Sequence, residues 1–310
     1  MENNRKELLK TSIGGQAVLE GIMMRGPKKT ALSCRLSDGS IKTEIWDTPG
    51  KKWYHKVPFI RGVFNFFESL KEGYSSLMKS AEMTGMLEEE ESEFEKKLRE
   101  KLGDKYNTVF EVIVLVLAMA LALGLFMFLP AWLVKLVQPY IQNPVLMTTI
   151  ESGMKLTIFF VYLLVVAQMD DIKRTFMYHG AEHKCIFCYE HGEELTVENV
   201  RKYTRFHPRC GTSFIVITLL LSIFVFSFVT WGSLLERVLI KLLCLPLTMS
   251  LAYECIKFAG KHDNKFTRIL SAPGLWTQRL TTKEPDDEMI EVAIEAMKQV
   301  IPENAEDALY

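Results

Sequence analysis

Neither sign of charge dominates this chain. Its 37 Lys and Arg against 38 Asp and Glu leave a net charge of −1, so no overall field favours nucleic acid as a partner. Cysteine is scarce. Six in 310 residues are too few for a disulfide-built secreted scaffold. No signal peptide is expected, because MENNRKELLK leads into no apolar stretch. A hydrophobic content of 48% excludes disorder, and 24% charged residues exclude a chain that lies wholly in a membrane. The mean hydropathy of +0.08 therefore averages unlike parts. The length is that of roughly two domains.

What is present is long apolar runs. Residues 112–129 (VIVLVLAMALALGLFMFL) and 213–231 (SFIVITLLLSIFVFSFVTW) carry no charge, and each has about the 20 residues needed to cross a hydrocarbon core. Residues 144–169 and 234–258 are weaker. Glu151 and Lys155, four apart and able to pair on one helix face, precede the clean run in the first. Glu236, Arg237 and Lys241 precede it in the second, Glu254 ends it, and Pro246 interrupts it. These charges lie close enough to helix ends to snorkel. The expectation is a mainly α protein: a four-helix transmembrane bundle over 109–258, a small β-rich cytoplasmic element at the N-terminus, and cytoplasmic helices. Lys173, Arg174, Lys184, Arg201, Lys202, Arg205 and Arg209 fall between the second and third spans. Lys257, Lys261, Lys265, Arg268, Arg279 and Lys283 follow the fourth, and only Lys135 lies between the first two. That bias places a multi-pass protein in the cell membrane with both termini cytoplasmic, where thiols stay reduced.

Around the spans, residues 1–56 read as β-rich. Asp38-Gly39 between strand-like runs signals a hairpin, and the glycines of GGQAVLEG permit tight turns or close backbone approach, an ordinary turn being the leading reading. Within 57–108, Pro58 opens an amphipathic helix over 58–80. Its apolar stripe (Phe59, Val63, Phe66, Phe67, Leu70, Tyr74, Leu77, Met78) faces either the bilayer interface or the bundle. A charged, solvated linker follows. In the tail, 259–310, Pro273-Gly274 marks a turn, and DEMIEVAIEAMKQV forms a helix with acids in its first turn.

The chemistry concentrates in the cytoplasmic segment 170–212, which holds four of six histidines and three of six cysteines. On a helix continuing from the second span, His179 and His183 share a face at the spacing by which two imidazoles hold one ion. With Glu182 they form His-x-x-Glu-His, the inverted zinc-hydrolase pattern, in which the Glu polarises a metal-bound water. Glu182 is thus the catalytic candidate. His207 and Cys210 sit on a turn made by Pro208 and Gly211, close enough to complete the set His179, His183, His207 and Cys210. Such donors suit zinc first and iron second. Glu190 lies on the same face but too far along it to ligate, so it would orient a ligand instead. Cys185 and Cys188 form Cys-x-x-Cys inside the helix rather than at its start. They are alternatives for metal or redox work, but buried packing is the leading reading.

Three blocks, GGQAVLEGIMMRGP, YHGAEHKCIFCYEHGEELTVENVRKYTRFHPRCGTSF and PGLWTQRLTTKEPDDEMIEVAIEA, resemble the signature blocks of the YqhQ-like family. This is a group of bacterial multi-pass membrane proteins of unknown function, often labelled predicted metal-dependent enzymes. The resemblance implies the membrane topology and a metal site on His179, Glu182, His183, His207 and Cys210. Two functions remain in view. One is a membrane zinc hydrolase acting on a lipid head group or membrane-bound peptide. The other is a non-enzymatic scaffold or assembly factor whose metal pins the cytoplasmic loop. Three protein ligands plus water favour the first, and four favour the second.

Overall fold

A computed structural model describes residues 10–86, 93–103, 106–141, 143–228, 233–262 and 264–308. The chain is mainly helical with one small antiparallel sheet. It divides into two units. One holds residues 1–86, 163–218 and 246–310, the other 87–162 and 219–245. The four consecutive segments expected along the chain are therefore not four compact bodies, because the N-terminal, central and C-terminal stretches interleave in the first unit.

That unit is built on four strands in sequential order: β1 (Gly14–Val18), β2 (Gly21–Arg25), β3 (Lys29–Arg35) and β4 (Ile41–Asp47). The expected β3–β4 hairpin turns at Gly39, whose φ of +84° suits glycine. GGQAVLEG is not the ordinary turn its glycines suggest. It forms β1 and a two-residue turn, Leu19-Glu20, that closes onto Gly21.

Alternation along β2 and β3 gives the sheet two apolar faces. Ile22, Met24 and Ala31 point to one core, with α6 (Asp170–Glu190) and α11 (Asp287–Val300). Val18, Met23, Leu32 and Cys34 point to another, beside Met83. The helix α11 starts at the Asp286 cap, which accepts from Met289 N. It buries eight residues, so the C-terminus supplies part of the core rather than a tail.

Helix α1 (Ile60–Met83) covers the stretch its periodicity predicts. Its inward residues are small: Gly62, Gly73, Ser76, Ser80 and Ala81. A Cβ on Gly62 would stand 2.8 Å from the Ser250 backbone, so the two helices touch through their main chains. Phe59, Phe67, Leu70 and Leu77 stay exposed.

In the second unit, α2 (Glu93–Leu102) precedes α3 (Tyr106–Leu123). A π-helical turn, Gly124–Phe128, joins α3 to α4 (Leu129–Val137). Pro130 falls in the first turn of α4, where its missing N–H is tolerated. The apolar helix therefore runs over Val112–Val137, longer than the run expected from residues 112–129. The other elements are α5 (Pro144–Val166), α7 (Val197–Arg201), α8 (Gly211–Phe226), α9 (Leu234–Lys261) and α10 (Lys265–Thr281).

Among the described residues, three helices are long and apolar enough to cross a membrane: Val112–Val137, Leu146–Val166 and Leu234–Gly260. The expected span over 213–231 reaches residues 229–232, which lie outside the described residues. Its described helix, Gly211–Phe226, has 16 residues. At 1.5 Å per residue it covers about 24 Å of a roughly 30 Å core.

Of the charges expected to snorkel, Glu151, Lys155 and Lys241 are buried, together with Arg237. Glu151 pairs with Arg237 and Lys241 of α9 rather than with Lys155 four residues on. Lys155 instead lies 3.4 Å from the Ser222 hydroxyl and over the Phe226 ring. In the first unit, Glu254 receives Arg61 Nε at 2.7 Å. Pro273-Gly274 is not a turn but part of α10. A Cβ on Gly274 would fall 2.3 Å from Ser213 Oγ, so glycine there lets α10 lie directly on the start of α8.

Candidate metal and catalytic site

Helix α6 does not continue from α5. The chain leaves α5 at Val166, and Met169 caps a new helix with Asp170 and Asp171 in its first turn, where the helix dipole favours acids. On α6, His179 and His183 share a face, with ring centroids 4.4 Å apart. Thr196 caps α7, and the chain then returns so that Cys210 stands just before α8. One ligand atom from each of His179, His183 and Cys210 lies within 4.8 Å of the others.

Both imidazoles are held in one tautomer. His179 Nδ1 lies 2.9 Å from the Thr281 carbonyl, and His183 Nδ1 lies 2.6 Å from the Arg205 carbonyl. A carbonyl only accepts, so each Nδ1 carries the hydrogen and each Nε2 offers its lone pair when the ring is neutral. This is how backbone acceptors prepare metal-binding histidines. His179 Nε2 stands 3.2 Å from Cys210 Sγ. Thr212 N donates to that sulfur at 3.3 Å from the first turn of α8, a position that favours a thiolate. Burial alone would raise the Cys210 thiol, but the two imidazoles hold it well below its ordinary value. Burial likewise opposes a proton on His179, yet the Cys210 charge and hydrogen bond raise it to about 9.

Glu182 is fully enclosed. Its Oε2 has no hydrogen-bond partner among the described residues, while the Gly15 backbone bonds the carboxylate. Burial raises this carboxyl, and the two histidines pull it back. A Cβ on Gly15 would stand 3.1 Å from Glu182 Cδ and 2.7 Å from the Met23 carbonyl, so only glycine lets β1 approach so closely. A cavity of about 160 Å³ lies between β1 and these groups, lined by Gly14, Gly15, His179, Glu182, His183 and Cys210, among others. At about 30 Å³ per water it holds an ion and a few waters.

His207 is brought alongside but not into the set. Its ring centroid is 5.5 Å from that of His183, but its Nδ1 accepts from Arg209 N, and its Nε2 lies 3.7 Å from Glu190. The His179, His183 and Cys210 ligand atoms cluster without it. Glu190 accepts from Thr11 N at 2.8 Å and pairs with Arg209. Burial would raise its carboxyl, but His207 and Arg209 draw it below the usual value. Glu190 therefore ties the loop to the N-terminal strand region, outside the His179, His183 and Cys210 cluster. Cys185 and Cys188 are packed away, with Sγ atoms toward the carbonyls of Ala293 and Glu194. Burial pushes both thiols up, Cys188 to about 11, so neither offers a thiolate.

Five contributors were not among the candidates read from the sequence. Gln278 clamps the His207 backbone from both sides, accepting from its N and donating to its O at 2.7 Å each. Thr281 and Arg205 act through carbonyls and Gly15 through its amide, and main-chain groups look alike in any sequence. Glu20 of the β1–β2 turn holds Arg174 of α6 at 2.5 Å through both oxygens, locking the sheet to the helix.

His207 also predicts a pH dependence. Burial holds it down to about 4. Above pH 6.5 both folded and unfolded chains keep it neutral. Between pH 6.5 and 4 the unfolded chain takes a proton that the fold refuses, so stability falls with pH by about 3 kcal/mol. Between pH 7 and pH 5 about 2 kcal/mol of it is lost, and thermal melts at those pH values should show that loss in the native protein and much less of it in His207→Asn. Equal losses in the two would remove His207 as the cause.

The chain is 35% identical over 300 residues to the uncharacterized protein YqhQ of Bacillus subtilis (strain 168), covering 96% of this chain and 94% of the relative. No solved structure matches it. Residues 57–303 match a family described as a protein of unknown function, DUF1385. With α6, Cys210 and the α10 clamp all inside the matched region, the chain belongs to this DUF1385 family, the YqhQ-like proteins.

Proposed function

We propose that the protein is an integral membrane metal-dependent hydrolase, with His179, His183 and Cys210 holding a divalent ion and Glu182 as general base. The observation that carries this reading is the donor set. Three preoriented protein donors converge beside a buried, unpartnered carboxylate oxygen and a cavity with room for water. Two imidazoles and a thiolate suit zinc before iron. Donors 2.0–2.3 Å from a tetrahedral ion stand roughly 3.3–3.6 Å apart, so the set closes on an ion with small side-chain rotations. Bound there, the ion would supply Lewis acidity that makes water nucleophilic at neutral pH. The protein's own part is to fix two imidazoles through the Thr281 and Arg205 carbonyls, to exclude bulk water, and to accept a proton at Glu182 Oε2.

A structural metal in a scaffold would want a fourth protein donor. His207 lies outside the converging set and its Nδ1 accepts from Arg209 N, and this favours the open, catalytic arrangement. The Lys and Arg distribution supports four crossings with both termini and the site on the cytoplasmic side, α8 being the shortest crossing.

X-ray absorption on zinc-loaded protein tests the arrangement. The expected shell has one sulfur near 2.3 Å and three light atoms near 2.0–2.1 Å, with multiple scattering from two imidazoles. A third imidazole would bring His207 into the shell and turn the assignment to a closed, structural site.

A further inference from the structure

A second, larger cleft of about 1080 Å³ shares Gly14, Gly15, His179, Glu182 and Cys210 with the small cavity. It matches the upper end of the roughly 300–1,000 Å³ typical of ligand sites, far more than an ion and its waters need. Its lining includes apolar side chains, Phe66 and Leu70 of α1, Phe214 and Ile215 at the start of α8, Tyr253 and Ile256 near the end of α9, with polar Asn65, Ser69 and Glu72 of α1 among them. The same cleft is lined by His179, Glu182, Arg209 and Cys210. An occupant that satisfies both kinds of lining is an amphiphile.

Three observations say where it comes from. First, Tyr253 and Ile256 belong to Leu234–Gly260, a helix apolar enough to cross a membrane. Second, α1 is packed the reverse of a helix in water. Its small residues face inward and its large apolar ones outward, as for a helix lying in the bilayer interface. Third, Leu70 is 48% exposed and also lines the cleft. The lip of the cleft is thus continuous with the apolar stripe of α1.

We propose that this cleft takes up a single membrane lipid, its acyl chain along Phe66, Leu70, Phe214 and Ile215 and its headgroup at His179, Glu182 and Cys210. This deepens, and rests on, the reading of those three polar residues as the reactive centre.

Photo-crosslinking tests it. The protein is reconstituted in vesicles of equal parts phosphatidylcholine and phosphatidylglycerol, with a trace of phosphatidylglycerol bearing a mid-chain diazirine, and adducts are mapped by mass spectrometry. Adducts are expected on Phe66, Leu70 and Phe214, and also on outward spanning residues such as Leu117 and Leu243. Ser69→Trp places bulk at an exposed position on the cleft wall. Leu70→Asp places a charge where the acyl chain would lie. Each should cut adducts on Phe66 and Phe214 roughly tenfold or more and leave those on Leu117, and the zinc content, unchanged. Adducts confined to the outward faces, or cleft adducts indifferent to both substitutions, would overturn the proposal. So would their loss to an apolar peptide but not to excess lipid, which would assign the cleft to a peptide. Zinc bound without cleft adducts removes the lipid and leaves the metal reading. Cleft adducts without zinc binding do the reverse.

Discussion

His183→Ala is expected to lower the zinc affinity of detergent-purified protein by at least about 100-fold, the upper end of what losing a mere outer partner costs. His183 is 1% exposed, and its Nδ1 is held by the Arg205 carbonyl. Alanine therefore removes a donor that no flexible surface group can replace. It also leaves the Arg205 carbonyl without that partner, at about 1–3 kcal/mol, so lost metal has to be separated from lost fold. Cys210→Ser makes that separation. The hydroxyl is close to the thiol in size and can accept from Thr212 N, but it does not ionise at neutral pH. A folded Cys210→Ser protein with little zinc would place the ion at the sulfur. Stoichiometric zinc in folded His183→Ala would show that the ion, if any, sits elsewhere.

Glu182→Gln should keep the metal and lose the reaction. The substitution preserves size and an acceptor for the Gly15 backbone, so β1 stays seated on α6. It removes the only change that matters for a base, the capacity to take a proton. Loss of a positioned base costs about 10²–10⁴ in rate, or roughly 3–5 kcal/mol of barrier. The measurement is product release from phosphatidylglycerol and phosphatidylethanolamine in vesicles, followed by mass spectrometry beside zinc content. Zinc stripped by Glu182→Gln would make Glu182 a ligand and leave the hydrolase without its base. Undiminished turnover would put the base elsewhere, and no turnover of either lipid by the native protein would count against a lipid hydrolase.

Local patterns were legible because their physics is local. Hydropathy marked the long apolar helices, three-and-four periodicity marked α1, and acids in the first turn marked α11. The i,i+4 spacing put His179 and His183 on one face. Asp38-Gly39 marked the β3–β4 turn. Errors arose where a local signal met a tertiary one. Pro273-Gly274 reads as a break, yet α10 runs through it because Gly274 lets the helix lie on Ser213. The glycines of GGQAVLEG read as a turn, yet they form the strand that closes over Glu182.

By itself the sequence determined the class of this protein: apolar helices long enough for a bilayer, a few β-strands, and a His/Cys/Glu cluster in one polar segment. The tertiary structure decided which members of that cluster converge. Cys210 faces His179 because Gln278, far along the chain, clamps the intervening loop. His207 is turned aside with its Nδ1 accepting from Arg209 N. The imidazoles present their Nε2 atoms because the Thr281 and Arg205 carbonyls take their hydrogens. Each of these decisions rests on a backbone group or a long-range partner, and a main-chain carbonyl leaves no mark on the residue types by which a sequence is read.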